Sequence, residues 1–144
     1  MRVVNKKAHF NYELGEKIEV GIELTGAEVK STKLGQVEMS GAYVKLKPNR
    51  FGKTEAWVTG LQIFPYKHAD NTGYDSMRAR RLLLHQKEIV ILMSKMKQSG
   101  RLLVPTAIYT RGAWVKVELA LARGKKKYEK REKIKKRDLE RESK

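Results

Sequence analysis

Apolar and polar residues alternate along much of the first 120 positions. Phe10, Tyr12 and Leu14 fall on one side of segment 8–14. Ile18, Val20, Ile22 and Leu24 fall on one side of segment 18–24, with Glu19 and Glu23 opposite. A period of two marks a strand with one buried face. The pattern returns at 42–47 and 55–63, on either side of the turn-forming Pro48-Asn49-Arg50-Phe51-Gly52. It returns again at 102–105, 107–110 and 113–120, the last two joined through Arg111-Gly112. Pro105 has no N–H to give a ladder, which predicts an edge, a bulge or a strand start there. One segment has the helical period instead. Leu82, Ile89, Leu92, Met93 and Met96 share a stripe, Ser76 offers an N-cap and Gly100 stands just beyond, predicting a long helix over 77–98. A shorter helical turn is expected at 31–34 or 39–43. About six short antiparallel strands, one long helix and one or two short ones predict a mainly β fold. A small, partly open barrel of the oligonucleotide-binding type is one architecture that accommodates them.

Charge divides the chain. Thirty-two Lys and Arg against sixteen Asp and Glu leave a net charge of +16, which points to an anionic polymer or surface as partner. Residues 123–144 hold twelve of the basic residues with five acids, and only Tyr128, Ile134 and Leu139 there are large and apolar. That is too little apolar surface to offset about 1–2 kcal/mol of backbone entropy per ordered residue. The expectation is a folded body, residues 1–122, followed by a basic tail, residues 123–144, disordered when free. The 40% of residues that are hydrophobic suffice for one modest core. The absence of cysteine excludes disulfides, thiolate zinc sites and a cysteine nucleophile and fits the cytoplasm. No apolar run approaches the roughly 20 residues a bilayer needs, and Met1-Arg2-Val3-Val4-Asn5-Lys6-Lys7 lacks the apolar stretch of a signal peptide. A membrane partner is not expected.

Catalytic chemistry finds little support. His9, His68 and His85 have no paired spacing for zinc, and His68 with Asp70, Asn71 and Asp75 forms no recognisable ladder of ligands. Phosphate loop, dinucleotide glycine pattern and serine elbow are all missing. No enzyme, metal or cofactor is expected. Nucleic-acid chemistry is more coherent, because lysines and arginines bind phosphate while polar groups and aromatics read bases. Asn5 sits beside Lys6 and Lys7, an amide next to two phosphate binders, although a turn or cap role suits it equally well. Glu19 would accept hydrogen bonds from base amino groups or hold a neighbouring cation; a solvent-facing strand carboxylate is the plainer reading.

A resemblance narrows the choice. Asn5-Lys6-Lys7-Ala8 is followed in order by Gly21-Ile22-Glu23-Leu24-Thr25-Gly26-Ala27-Glu28-Val29-Lys30-Ser31, Ala42-Tyr43-Val44 and Ile63-Phe64-Pro65-Tyr66. Then come Arg78-Ala79-Arg80-Arg81-Leu82-Leu83-Leu84-His85, Leu103-Val104-Pro105, Ile108-Tyr109 and Gly124-Lys125-Lys126-Lys127-Tyr128-Glu129-Lys130-Arg131. Across essentially its whole length the chain resembles the SsrA-binding protein (small protein B) family of bacterial trans-translation. The resemblance implies an oligonucleotide-binding-like barrel that binds the tRNA-like domain of transfer-messenger RNA. It also implies delivery of that RNA, charged with alanine, to ribosomes stalled on truncated messages. The partners it implies are transfer-messenger RNA, the small ribosomal subunit with its RNA, and elongation factor Tu through the shared RNA, with the protein a monomer in the complex. Carried onto this chain, it places RNA binding at Asn5, Lys6, Lys7, Glu19, Glu28, Lys30, Leu83, Lys125 and Lys126. Leu83, on the expected helix, suits packing as well as contact. The resemblance further implies a ribosome-contacting tail comprising Lys127, Tyr128, Glu129, Lys130, Arg131, Lys133, Lys136 and Arg137, similar to the family segment that enters the empty message channel.

Charge spacing bears on that tail directly. Glu129 with Lys133 and Glu132 with Lys136 are favourable i,i+4 pairs, each worth about 0.2–0.5 kcal/mol in a helix. Lys126 with Lys130 and Lys133 with Arg137 repel. A helix of this kind is marginal alone and is favoured where phosphates screen the repulsion. Tyr128-Glu129 stands where the family commonly has His-Asp, which keeps an aromatic plane and a negative charge. Composition alone fits a generic ribosomal or ribosome-assembly RNA-binding module as well.

Overall fold

Asn5 decides where the first turn of helix begins. Its side-chain Oδ1 accepts the Ala8 amide at 3.1 Å, and its backbone N–H is tied to the Thr106 carbonyl at 2.8 Å. The structure, a computed structural model, describes residues 1–125. Along them run β1 (Arg2–Val4), α1 (Lys6–Asn11), β2 (Tyr12–Ile22), α2 (Gly26–Lys33), β3 (Val37–Glu38) and β4 (Tyr43–Pro48). There follow β5 (Thr54–Thr59), β6 (Gln62–Ile63), β7 (Arg80–Leu83), α3 (Gln86–Ser99), β8 (Leu102–Arg111) and β9 (Trp114–Gly124). Seven strands form one antiparallel sheet in the order β1-β8-β9-β2-β7-β5-β4, and β3 with β6 form a second small sheet. The large sheet curls until β4 lies against β8, but no ladder joins them among the described residues. Among the described residues the fold is therefore mainly β, as the alternation predicts, with an open sheet and three helices. Val20, Ile22, Val44, Val58, Leu82, Ile108, Val117 and Leu119 line its buried concave side.

Several sequence expectations need correction. The segment 8–14 is not one strand: the Asn5 cap makes 6–11 helical, and the strand starts at Tyr12. The helix expected over 77–98 begins only at Gln86. Its first part is β7, where Arg80 and Leu82 face inward and Arg81 and Leu83 outward. The helix proper starts where the Glu88 carboxylate accepts the His85 amide at 3.0 Å, and it ends at Gly100 in the left-handed conformation, as expected. The run 55–63 is broken at Gly60, whose φ of +79° turns the chain so that β6 leaves the large sheet for β3. A Cβ at Gly60 would collide with the Gly41 carbonyl. The short helix lies at Gly26–Lys33 because Thr25 and Glu28 form a reciprocal capping box. Pro105 marks a bulge, where β8 slips register against β9 between Pro105 and Ala107. β9 runs to Gly124, two residues past the boundary that charge composition suggests.

Candidate nucleic-acid interface

Parity along β2 builds the outer face. With Val20 and Ile22 buried, Glu19 and Gly21 must point the other way. Glu19 stands opposite Glu118 on β9, while Gly21 stands between Lys116 on β9 and Leu83 on β7. The Tyr109 hydroxyl donates a hydrogen bond to Oε2 of Glu19, and Arg111 donates a second to the same oxygen at 2.9 Å. Tyr109 first and then Arg111 hold the Glu19 carboxyl below the usual carboxylate range, against the opposing effect of partial burial. The Arg2 guanidinium lies 5.0 Å from the centre of the Tyr109 ring and pairs with Glu118 at 3.5 Å. Lys17 reaches Glu118 at 3.7 Å, and the Thr106 hydroxyl donates to the same carboxylate at 2.8 Å. Burial raises the Glu118 pKa, but Thr106, Lys17 and Arg2 outweigh it and leave the group lowered. At the margins of this face Leu83 and Trp114 are 51% and 73% exposed. Cations, ring faces and a fixed acceptor thus share one surface, the combination that binds phosphate and stacks bases. Leu83 is a strand residue facing outward, which removes the packing reading that a helix would have favoured.

Sequence reasoning missed Arg2, Tyr109, Arg111, Trp114 and Lys116 as members of this face. A signal was present for two of them: Val115, Val117 and Leu119 set the buried parity of β9, which leaves Trp114 and Lys116 outside.

Other expected residues lie elsewhere. Asn5 is 4% exposed. Its amide nitrogen donates to the Pro105 carbonyl at 2.8 Å and the Met39 carbonyl at 3.0 Å, so its side chain is occupied in joining α1 to the β8 bulge. The cap reading describes it. Lys6 and Lys7, which it places at the head of α1, are exposed. Lys125 donates through Nζ to the His9 carbonyl at 3.1 Å and through its backbone to Asn11 at 3.0 Å, closing the other end of the same helix. Lys30 is exposed on α2, 5.6 Å from the Tyr66 ring centre.

Glu28 needs correction as a direct RNA ligand. It is 1% exposed and accepts from the Thr25 amide at 3.0 Å, from Arg78, and from Arg80 Nε at 2.7 Å. The Tyr74 hydroxyl lies 3.1 Å away. Burial pushes its pKa upward, yet Arg78, Thr25 and Arg80 bring it down to about 2. No lone pair is left for a nucleotide. The remaining donors of the fully buried Arg80 reach the carbonyls of Leu61, Ser76 and Arg78 and the Tyr74 hydroxyl. Lys126, Lys127, Tyr128, Glu129, Lys130, Arg131, Lys133, Lys136 and Arg137 lie outside the described residues. Among the described residues no group of three or more His, Asp or Glu is placed to hold a metal, and no helix is long and apolar enough to cross a membrane.

An open antiparallel sheet with a cationic, aromatic outer face places the molecule in the class of β-sheet RNA-binding proteins. The profile of the SmpB protein family matches residues 2–144, and the chain belongs to that family. The SsrA-binding protein of Dehalococcoides mccartyi strain BAV1 is 49% identical over 96% of this chain and 77% of its own length. That of Malacoplasma penetrans is 48% identical over 98% of this chain and 93% of its own. Among solved structures, a chain from "tmRNA-SmpB: a journey to the center of the bacterial ribosome" superposes with a TM-score of 0.69 at 38% identity. That match covers 88% of this chain and 85% of the other.

Proposed function

We propose that this protein binds the tRNA-like domain of transfer-messenger RNA and carries it to stalled ribosomes for trans-translation and peptide tagging. The observation that carries the reading is the match, in sequence and in fold, to a chain described with transfer-messenger RNA in the ribosome. The outer face supplies the means. Arg2, Lys17, Arg111 and Lys116 neutralise phosphates and release counterions, while Tyr109, Trp114 and Leu83 offer surfaces to unstacked bases. Lys6, Lys7, Lys30 and Lys125 add charge away from Glu19. Asn5 acts through position: by capping α1 and bracing the β8 bulge it fixes the two lysines that follow it. Glu28 likewise acts from inside, by holding α2 and hence Lys30 in place. The protein binds and delivers; it does not catalyse. The folded body holds the RNA, and the basic tail beyond Lys125 occupies the message channel of the small subunit as a helix, with elongation factor Tu reached through the shared RNA in the cytoplasm.

The test is a competition at moderate salt between the tRNA-like domain and an unrelated duplex of equal length. Clear preference for the tRNA-like domain is expected. Equal affinity supports a generic ribosomal or assembly module instead, and turnover of either RNA makes the protein an enzyme.

A further inference from the structure

Helix α3 carries more apolar side chains than the core uses. Its inward stripe is Ile89, Leu92 and Met96, the first two buried and the third packed against the core cluster. Val90, Ile91 and Met93 lie off that stripe and are 62%, 54% and 44% exposed. Val90 and Ile91 are also β-branched, so on the solvent side they lower helix propensity without gaining packing. Gln86, Lys87, Val90 and Ile91 line one shallow hollow. A second lies further along, between Met93 and Met96 on the helix and Leu46 and Leu102 beside it. Cations flank the strip: Lys87 at the first hollow, Lys97 and Arg101 at the second. Lys95 is paired with Glu16 at 2.6 Å and Arg101 with Glu13 at 3.7 Å. Among the described residues Lys87 and Lys97 pair with no carboxylate.

We propose that this side of α3 docks an acidic amphipathic helix of a partner protein, with its apolar residues in the two hollows and its carboxylates on Lys87 and Lys97. Six positions separate Val90 from Met96, about 9 Å along the axis, a spacing that apolar side chains two turns apart on a partner helix span. A second copy of the chain fits poorly, because it brings a net charge of +16 and the same lysines against these. Four aliphatic side chains, each about half exposed, also fall well short of the about 800 Å² per partner that a stable dimer buries. RNA would gain only the lysines, since no aromatic ring lines either hollow to stack a base. None of these residues belongs to the outer sheet face, so a partner here leaves that face free for RNA.

The experiment titrates the full chain with a labelled synthetic peptide as long as α3, leucines along one stripe and glutamates flanking it, at physiological ionic strength where long-range attraction is screened. It is expected to bind about tenfold more tightly than a scrambled peptide of the same composition. The exposed double substitution Val90→Gln with Ile91→Gln should remove that difference at an unchanged melting temperature. Lys87→Glu with Lys97→Glu should weaken the acidic peptide about tenfold and favour a version with lysines in place of the glutamates. The proposal is overturned if the scrambled peptide binds equally, or if Val90→Gln with Ile91→Gln binds like the wild-type chain. It is also overturned if sedimentation shows a dimer, or flotation shows attachment to phosphatidylglycerol vesicles, that this double variant abolishes. Affinity for the tRNA-like domain should be the same in both chains; a loss in the variant would assign α3 to the RNA surface instead.

Discussion

At the scale of single residues, Glu28 is engaged by Thr25, Tyr74, Arg78 and Arg80 together, and this engagement makes stability depend on pH. Its pKa falls from an ordinary value near 4.5 to about 2 on folding. The unfolded chain therefore takes up a proton first as the pH falls. The stabilisation from the ionised carboxylate is fully present above about pH 4.5 and is lost as the pH drops toward 2, in total about 3 kcal/mol. Urea unfolding followed between pH 5 and pH 2 should show that loss, and Glu28→Gln should flatten it. The same substitution leaves the buried Arg80 without its counter-charge, which costs about 3–5 kcal/mol at neutral pH; a shift in the urea midpoint measures it. A motif shared with relatives had marked Glu28 for RNA binding, and burial shows why a side chain so placed serves the RNA surface only indirectly. Asn5 teaches the same lesson from the other side. Its sequence neighbours Lys6 and Lys7 suggested a base-reading amide, but both polar atoms of that amide are used within the fold.

At the scale of elements, short-range chemistry and tertiary demand compete. α2 is set by the pattern Thr25-x-x-Glu28, a capping box present in the sequence but not followed by the apolar stripe that marks an amphipathic helix. Thr25→Ala should cost about 1 kcal/mol through the lost cap, readable as a fall in the urea midpoint with the slope unchanged. β7 shows the opposite outcome. Arg78 to His85 suits a helix by propensity, and Leu82 fits the helical stripe that continues into α3. The segment is nonetheless a strand, because β2 and β5 each offer it an edge and Glu28 awaits Arg80 on the inner side. The turn at Gly60 has a similar cause: the alternation continues through it, but the positive φ redirects the chain into the smaller sheet.

For the whole molecule, the described residues end at Lys125, where the backbone and Nζ fasten β9 to α1. If body and tail divide the work, removing residues 126–144 should leave affinity for the tRNA-like domain nearly unchanged, because the outer sheet face is untouched. Peptide tagging on ribosomes stalled in a reconstituted translation system should be lost. Retained tagging in that system would refute the division. The two readouts separate a tail that engages the ribosome from one that adds charge.

Local sequence by itself determined the β class, the hairpin at 48–52 and the end of the long helix at Gly100, since each follows from backbone chemistry within a few residues; at Pro105 it left an edge, a bulge or a strand start open, and pairing with β9 decided for the bulge. Net charge and shared motifs pointed to RNA before any fold was known. Which face meets that RNA was decided only by tertiary structure. Glu19, Tyr109, Arg111 and Leu83 come from three distant stretches of chain, and no local pattern records that strand pairing brings them together. Burial was equally a tertiary matter: the sequence presents Glu19 and Glu28 alike as carboxylates, and only packing puts one on the surface and encloses the other between two arginines.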